Sequence, residues 1–92
     1  MSTEITDNAE QSRYEIRLDG DLAGFAEYEP GEGAVVFTHT EVDSAFEGKG
    51  VGSALARGAL DDVRQKGLSV VPLCAFIKKW IEKHPGYQDL VR

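Results

Sequence analysis

The chain has 92 residues, which is enough for one small domain with a single hydrophobic core but not for two. A hydrophobic content of 41% with only 3 prolines is typical of an ordered globule and argues against a disordered chain. The net charge of −6 argues against a non-specific nucleic-acid binder, which needs a basic face.

The N-terminal segment, residues 1–11, is polar and has neither the basic region nor the apolar region of a secretory signal. We expect it to form a short mobile tail ahead of a single domain over residues 12–92. No apolar run approaches the roughly 20 residues that span a membrane, so we expect no membrane partner. Cys74 is the only cysteine, which excludes an intramolecular disulfide and favours a reducing, cytoplasmic setting.

Three strands joined as an antiparallel meander are predicted for the first half of the domain. Residues 13–18 alternate apolar and charged side chains, as a half-buried strand does. An Asp-Gly turn leads into a returning strand over residues 22–28, where Gly24 indicates a bulge or a close approach between strands. After a second turn, a more apolar strand covers residues 34–42.

The hydrophobic period changes in the second half. An apolar stripe with i, i+4 spacing predicts a helix over residues 54–66, in which Asp62 and Lys66 are spaced to form an ion pair. A short buried strand at residues 68–73 and a second helix over residues 75–83 follow. The predicted order of elements is therefore β-β-β-α-β-α.

A glycine-rich turn joins the third strand to the first helix, with Gly48, Gly50 and Gly52 at alternate positions. Unpaired N–H groups and the macrodipole at a helix start favour an anion, and glycine lets the backbone approach it closely. The spacing fits neither the Walker loop nor the dinucleotide-binding G-x-G-x-x-G pattern. The turn therefore predicts a phosphate site of another kind.

Charge is distributed unevenly about this turn. Residues 1–47 carry 12 acidic and 2 basic side chains, whereas residues 48–92 carry 4 acidic and 8 basic ones. The basic half begins at the glycine turn, where an anionic cofactor is expected. Ordinary solvated surface is the alternative explanation of the same pattern.

The turn resembles the acetyl-CoA signature of the GNAT N-acetyltransferase superfamily, V-x-P-x-[YF]-[RQ]-G-x-G-[IV]-[GA] before an apolar helix. The matching residues are Val42, Phe46, Gly48, Gly50, Val51 and Gly52. Flanking stretches, Phe37 to Val42 before the turn and Val71 to Cys74 with His84-Pro85-x-Tyr87 after it, are similar to very small single-domain members. The sequence departs from the signature at Ser44, where proline is common, and at Glu47, where arginine or glutamine is usual.

The resemblance implies an α/β (α+β) class, a minimal GNAT fold with a mixed, mostly antiparallel sheet. It also implies that acetyl-CoA is the cofactor. Backbone N–H groups of the glycine turn would hold its pyrophosphate, Lys49 would add charge, and Val42 would pair through its backbone with the pantetheine arm. The backbone residues of that cradle are Gly48, Lys49, Gly50, Val51, Gly52 and Ser53. Glu47 is expected to turn outward.

Two residues are candidates for acetyl transfer. His39 is placed on the same strand face as Val35, Phe37 and Glu41, where it is a candidate base that Glu41 orients, or a residue filling that face. Cys74 lies near the start of the second helix, where the dipole favours a thiolate. In the family fold, the two strands that carry these residues splay to admit the thioester. Cys74 is a candidate nucleophile, a proton donor or a packing residue.

The leading hypothesis is an acetyl-CoA-dependent N-acetyltransferase that acts on an amine. The acidic N-terminal half favours a cationic acceptor, either a small molecule or a lysine side chain. An acyl-CoA-binding module without transferase activity and a structural adaptor are the alternatives. No metal-ligand spacing is present, and Tyr87, beyond the second helix, is expected to pack. The sequence leaves a monomer and a small homo-oligomer equally open.

Overall fold

The computed structural model describes residues 2–92, which form one mixed sheet with two helices. In chain order the elements are β1 (Thr3–Asn8), β2 (Arg13–Leu18), β3 (Asp21–Gly31), β4 (Ala34–Val42), α1 (Val51–Gln65), β5 (Ser69–Pro72) and α2 (Ala75–Glu82). Short 3₁₀ turns lie at Ser44–Phe46 and Pro85–Leu90. The strands are ordered β1-β2-β3-β4-β5, antiparallel up to β4, with β5 parallel to β4. The predicted fold class and the predicted order from β2 onward are confirmed.

Both helices pack on one face of the sheet, and the hydrophobic core lies between the helices and that face. The stripe on α1 is buried because its apolar residues recur with the helical period. Its buried members are Val51, Leu55, Ala56, Ala59, Leu60 and Val63. On the sheet side they meet a layer that includes Ile16 and Phe37, both fully buried. The opposite face of the sheet stays open and presents Glu27, His39 and Glu41 to solvent.

The N-terminal segment differs from the expected mobile tail. Thr3–Asn8 pairs along its length with β2 and becomes an edge strand of the sheet. Its Ile5 side chain packs onto Gly58 of α1, where a Cβ atom would overlap it. The tail prediction is wrong for residues 3–8 because backbone pairing, the Ile5 contact and the side-chain bonds of Asp7 hold a strand whose own composition is polar.

Two irregularities in strand pairing set the faces of β3 and β4. In β3, Ile16 pairs with Gly24 and Arg17 pairs with Leu22, so Ala23 is an extra residue. A Cβ atom on Gly24 would lie 2.7 Å from the Glu41 carbonyl oxygen, which confirms the predicted close approach.

In β4 the extra residue is Thr38, because Phe37 pairs with Tyr28 while His39 pairs with Glu27. A bulge of this kind shifts the alternation of side chains beyond it. Residues 39–42 therefore present the faces opposite to those that simple alternation predicts.

Candidate functional site

The glycine turn leaves the start of α1 without backbone partners. Gly48 and Gly50 have φ angles of +81° and +72°, and Gly50 precedes the helix without a capping side chain. Within residues 2–92, no acceptor pairs with the N–H groups of residues 48–53. These N–H groups add to the positive end of the helix macrodipole, so the turn fits an anionic phosphate.

Gly52 serves a different purpose from the two glycines before it. Its φ is not in the left-handed region, but a Cβ atom on it would lie 2.8 Å from Cζ of Phe76. Phe76 of α2 therefore crosses the first turn of α1, and its side chain is 40% exposed. The small residue lets the two helices approach beside the glycine turn.

The charged side chains of the turn point outward. Lys49 is exposed, with its Nζ atom 5.8 Å from the centroid of the Phe46 ring. Glu47 is exposed as well, and its backbone N–H is bonded to the Ser44 carbonyl oxygen. The carboxylate that departs from the signature lies on the surface, as expected, which limits its repulsion of a bound phosphate because water screens it.

β4 and β5 separate after a short paired stretch. They are in register from Ala34 opposite Ser69 to Phe37 opposite Pro72. The Leu73 and Cys74 N–H groups then both donate to the Phe37 carbonyl oxygen, at 3.0 and 2.9 Å. β5 ends there while β4 continues to Val42, so the edge of β4 beyond Phe37 has no neighbouring strand.

Val42 lies at the end of this uncovered edge. The N–H of the next residue, Asp43, donates to the Ala23 carbonyl oxygen on β3 at 2.8 Å. Because successive backbone groups of a strand point in opposite directions, the N–H and C=O of Val42 face the uncovered side. An extended amide chain laid along β4 would find hydrogen-bonding partners there.

Cys74 is buried at the mouth of the splay. It is 6% exposed and precedes α2, and its Sγ atom lies 3.3 Å from Oγ1 of Thr40. Leu73 and Phe76 on either side of it are 69% and 40% exposed. An apolar surface and a thiol–hydroxyl pair therefore meet where the two strands part.

His39 does not join this pair. It shares a face with Glu41, as predicted, with Nε2 3.5 Å from Oε1, but the prediction that it shares a face with Val35 and Phe37 is wrong. The bulge at Thr38 turns His39 to the open face and brings Thr40 to the helix side instead. The sequence did not predict that Thr40 meets Cys74, because a threonine at position 38 does not signal a bulge.

Tyr87 packs, as predicted. Its ring meets Trp80 edge-on with centroids 4.9 Å apart, and its hydroxyl donates to Asp61 at 2.8 Å. Burial and that hydrogen bond raise the pKa of Tyr87 above its ordinary range. Its proton is therefore held by Asp61 and not directed into the splay.

Comparison with known proteins gives a consistent set of matches. The family model described as GCN5-related N-acetyl-transferase covers residues 13–90. The chain is 31% identical to Protein NATD1 of Xenopus tropicalis over 93 residues, spanning 99% of this chain and 85% of that protein. It is 34% identical to the Homo sapiens Protein NATD1 over 82 residues, spanning 87% and 73%.

Among solved structures, the fold matches a protein described as GCN5-like from Staphylococcus aureus with a TM-score of 0.73. The match has 24% identity and covers 97% of this chain and 87% of that one. Among residues 2–92, no helix has the length and apolar character needed to cross a membrane.

Proposed function

Because the chain belongs to the GCN5-related N-acetyltransferase (GNAT) family, we propose that it transfers the acetyl group of acetyl-CoA to an amine. One observation carries the proposal: the uncovered edge of β4 leads to the unpaired N–H groups of residues 48–53. A strand edge supplies partners for the amides of a pantetheine arm, and a helix start supplies partners for a pyrophosphate. The two features are adjacent in the chain and suit one elongated ligand.

Residues at the end of β4, in the glycine turn and at the start of α2 each contact a different part of acetyl-CoA. Val42 pairs through its backbone with the pantetheine arm, and the N–H groups of residues 48–53 hold the pyrophosphate. Lys49, exposed beside them, adds positive charge. Leu73 and Phe76 cover the apolar part of the arm near the thioester. The ligand supplies an activated acetyl group, and the chain supplies its position.

The placement of His39 on the open face of the sheet and Cys74 on the helix side favours direct transfer over a route through an acyl-cysteine. A cysteine nucleophile needs a base within hydrogen-bond reach, and Cys74 has Thr40 there instead. We therefore assign His39 as the base and Cys74 as the proton donor to the leaving thiolate. A thiol in this role has to stay reduced, so we place the protein in the cytoplasm.

In the proposed step, the amine nitrogen bonds to the acetyl carbon as the carbon–sulfur bond breaks. The nitrogen begins as an ammonium and loses two protons. His39 accepts the first, which frees the lone pair, and releases it to solvent after transfer. The second restores the proton that Cys74 gives to the leaving thiolate. Thr40, 3.3 Å from Sγ, orients the thiol for that transfer.

Thiol release from acetyl-CoA in the presence of an amine panel tests the proposal. The wild type is expected to release thiol with at least one amine, while His39→Ala and Cys74→Ser lower kcat by about a hundredfold or more. After incubation with acetyl-CoA, mass spectrometry is expected to find no acetyl group on Cys74. Background release from all three proteins contradicts the transferase, and an acetylated Cys74 replaces direct transfer with the covalent route.

An acyl-CoA-binding module is the second candidate. Two observations favour it: the Tyr87 hydroxyl donates to Asp61 and so is not free to protonate a leaving thiolate, and His39 is exposed on the face opposite Cys74. Calorimetric titration with acetyl-CoA separates the cases, because a module binds without releasing thiol for any amine. No heat and no thermal shift contradict both candidates.

A further inference from the structure

An open groove of about 360 Å³ lies between the start of β3 and the end of β4. Its lining consists of residues 22–25 and 41–44. The Phe25 and Glu41 side chains, opposite each other in the register, share the sheet face that the helices leave open. The groove exists because β3 bulges at Ala23 and the chain leaves the sheet after Val42.

The chemistry of the lining is apolar with two carboxylates. Phe25 is half-buried, Glu41 and Asp43 are exposed, and no lining residue is basic. The Arg13 guanidinium lies 4.6 Å from the Phe25 ring centroid and shares the Glu15 carboxylate with Arg17, at 2.7 and 3.3 Å, so these three side chains carry one net positive charge outside the lining. An aromatic surface beside two carboxylates suits a cation on an aliphatic stem.

The position of the groove connects it to both parts of the proposed site. Val42 lines the groove and also lies on the uncovered edge assigned to the pantetheine arm. Glu41, on the groove wall, has Oε1 3.5 Å from Nε2 of His39, the residue assigned as base. An ammonium held at Glu41 therefore lies next to the imidazole that accepts its proton.

We propose that this groove binds the acceptor of the reaction, an alkylammonium group carried by a free alkylamine or a lysine side chain. The proposal rests on the proposed function for its chemistry. Phe25 contacts the aliphatic stem, Glu41 and Asp43 attract the ammonium, and His39 takes its proton. The acceptor thus enters from the open face of the sheet, away from the helices.

Steady-state kinetics with 1,5-diaminopentane and with a lysine-containing peptide test the groove. Glu41→Gln and Asp43→Asn are each expected to raise KM for these amines about threefold to fivefold, with the KM for acetyl-CoA unchanged. The KM for hydroxylamine, which is largely uncharged at neutral pH, is expected to stay unchanged in both variants. The source with the lower KM in the wild type identifies the form of the acceptor.

Glu29→Gln is the matched control, because Glu29 is an exposed carboxylate on β3 that lies outside the groove. An equal rise in KM in this control, or no rise in Glu41→Gln, overturns the groove while leaving the transferase in place.

A binding measurement keeps the groove testable if the transferase itself fails. Titration of 1,5-diaminopentane into ¹⁵N-labelled protein is expected to shift the amide signals of Phe25 and Glu41, and less so in Glu41→Gln. Shifts confined to other residues, or none, overturn the groove whatever happens with acetyl-CoA. Absence of acetyl-CoA binding, by contrast, removes the proposed function alone.

Discussion

The two ends of α1 differ in how their polar groups are paired. At the N-terminal end, the N–H groups of residues 48–53 have no acceptor within the described chain. At the C-terminal end, Lys66 Nζ contacts Asp62 at 2.7 Å and Asp7 at 2.9 Å. The Tyr14 hydroxyl donates to Asp62 and that of Tyr28 to Asp7, both at 2.6 Å. The N–H groups at the N-terminal end are free to bind a ligand. The side chains at the C-terminal end are bonded to one another and join β1, β2 and β3 to the helix.

The paired end is held in fixed protonation states. Burial and then the bond to Asp7 raise the pKa of Tyr28 to about 12, and the same causes with Asp62 raise that of Tyr14 further. Burial acts to raise the pKa of Asp62, but the hydrogen bonds from Lys66 and Tyr14 outweigh it, so the net pKa is lowered. The Tyr14 and Tyr28 hydroxyls therefore stay protonated and Asp62 stays ionised near neutral pH, as suits a structural contact.

The largest expected effect comes from removing the centre of the paired end. Asp62→Ala leaves the buried Tyr14 hydroxyl without its acceptor and should lower the free energy of unfolding by about 2 kcal/mol. Acetyl-CoA affinity, measured by calorimetry below the new midpoint of unfolding, is expected to stay within twofold of the wild type. A large loss of affinity at unchanged stability would contradict the division between the two ends.

A pair of glycine variants compares the ends directly. Gly50 and Gly67 have φ angles of +72° and +71°, and a Cβ atom on either would meet nothing within 4 Å. Gly50→Ala and Gly67→Ala should therefore each cost about 1 kcal/mol of stability through backbone strain. Only Gly50→Ala is expected to weaken acetyl-CoA binding, by about tenfold. Equal affinities in the two variants would show that the turn conformation is unimportant for binding.

The smallest expected effect is a loss of folding stability at low pH, when Asp62 becomes protonated. Its pKa is lowered on folding, so its contribution is fully present above the unfolded value of about 3.9 and is lost as the pH falls through the folded pKa. The carboxylate is 34% exposed, so solvent screening keeps this contribution below about 1 kcal/mol. Urea unfolding between pH 5 and 2.5 should show a shallower pH dependence for Asp62→Asn than for the wild type.

Local patterns were sufficient for most of the fold. Alternating side chains located β2, and an apolar run after a turn located β4, both at their observed bounds; the helical period located α1 and α2 within a few residues. The i, i+4 spacing of Asp62 and Lys66 predicted an ion pair that the structure confirms. Each of these features depends on residues close together in the chain, which is why sequence reasoning reached them.

The sequence did not predict features that depend on partners far apart in the chain. β1 is a strand because β2 lies beside it and because Ile5 packs on Gly58, 53 residues further along the chain. The bulge at Thr38 is defined by the register with β3, and it decides that Thr40 rather than His39 meets Cys74.

The sequence by itself determined the glycine turn, the helix that follows it and the family resemblance, because glycine spacing and hydrophobic period act locally. Tertiary structure alone decided which side chains share a face beyond the bulge and which polar groups remain unpaired. A one-residue change of register makes every later side chain of a strand face the other side of the sheet. No characteristic residue type in this sequence marks the change at Thr38.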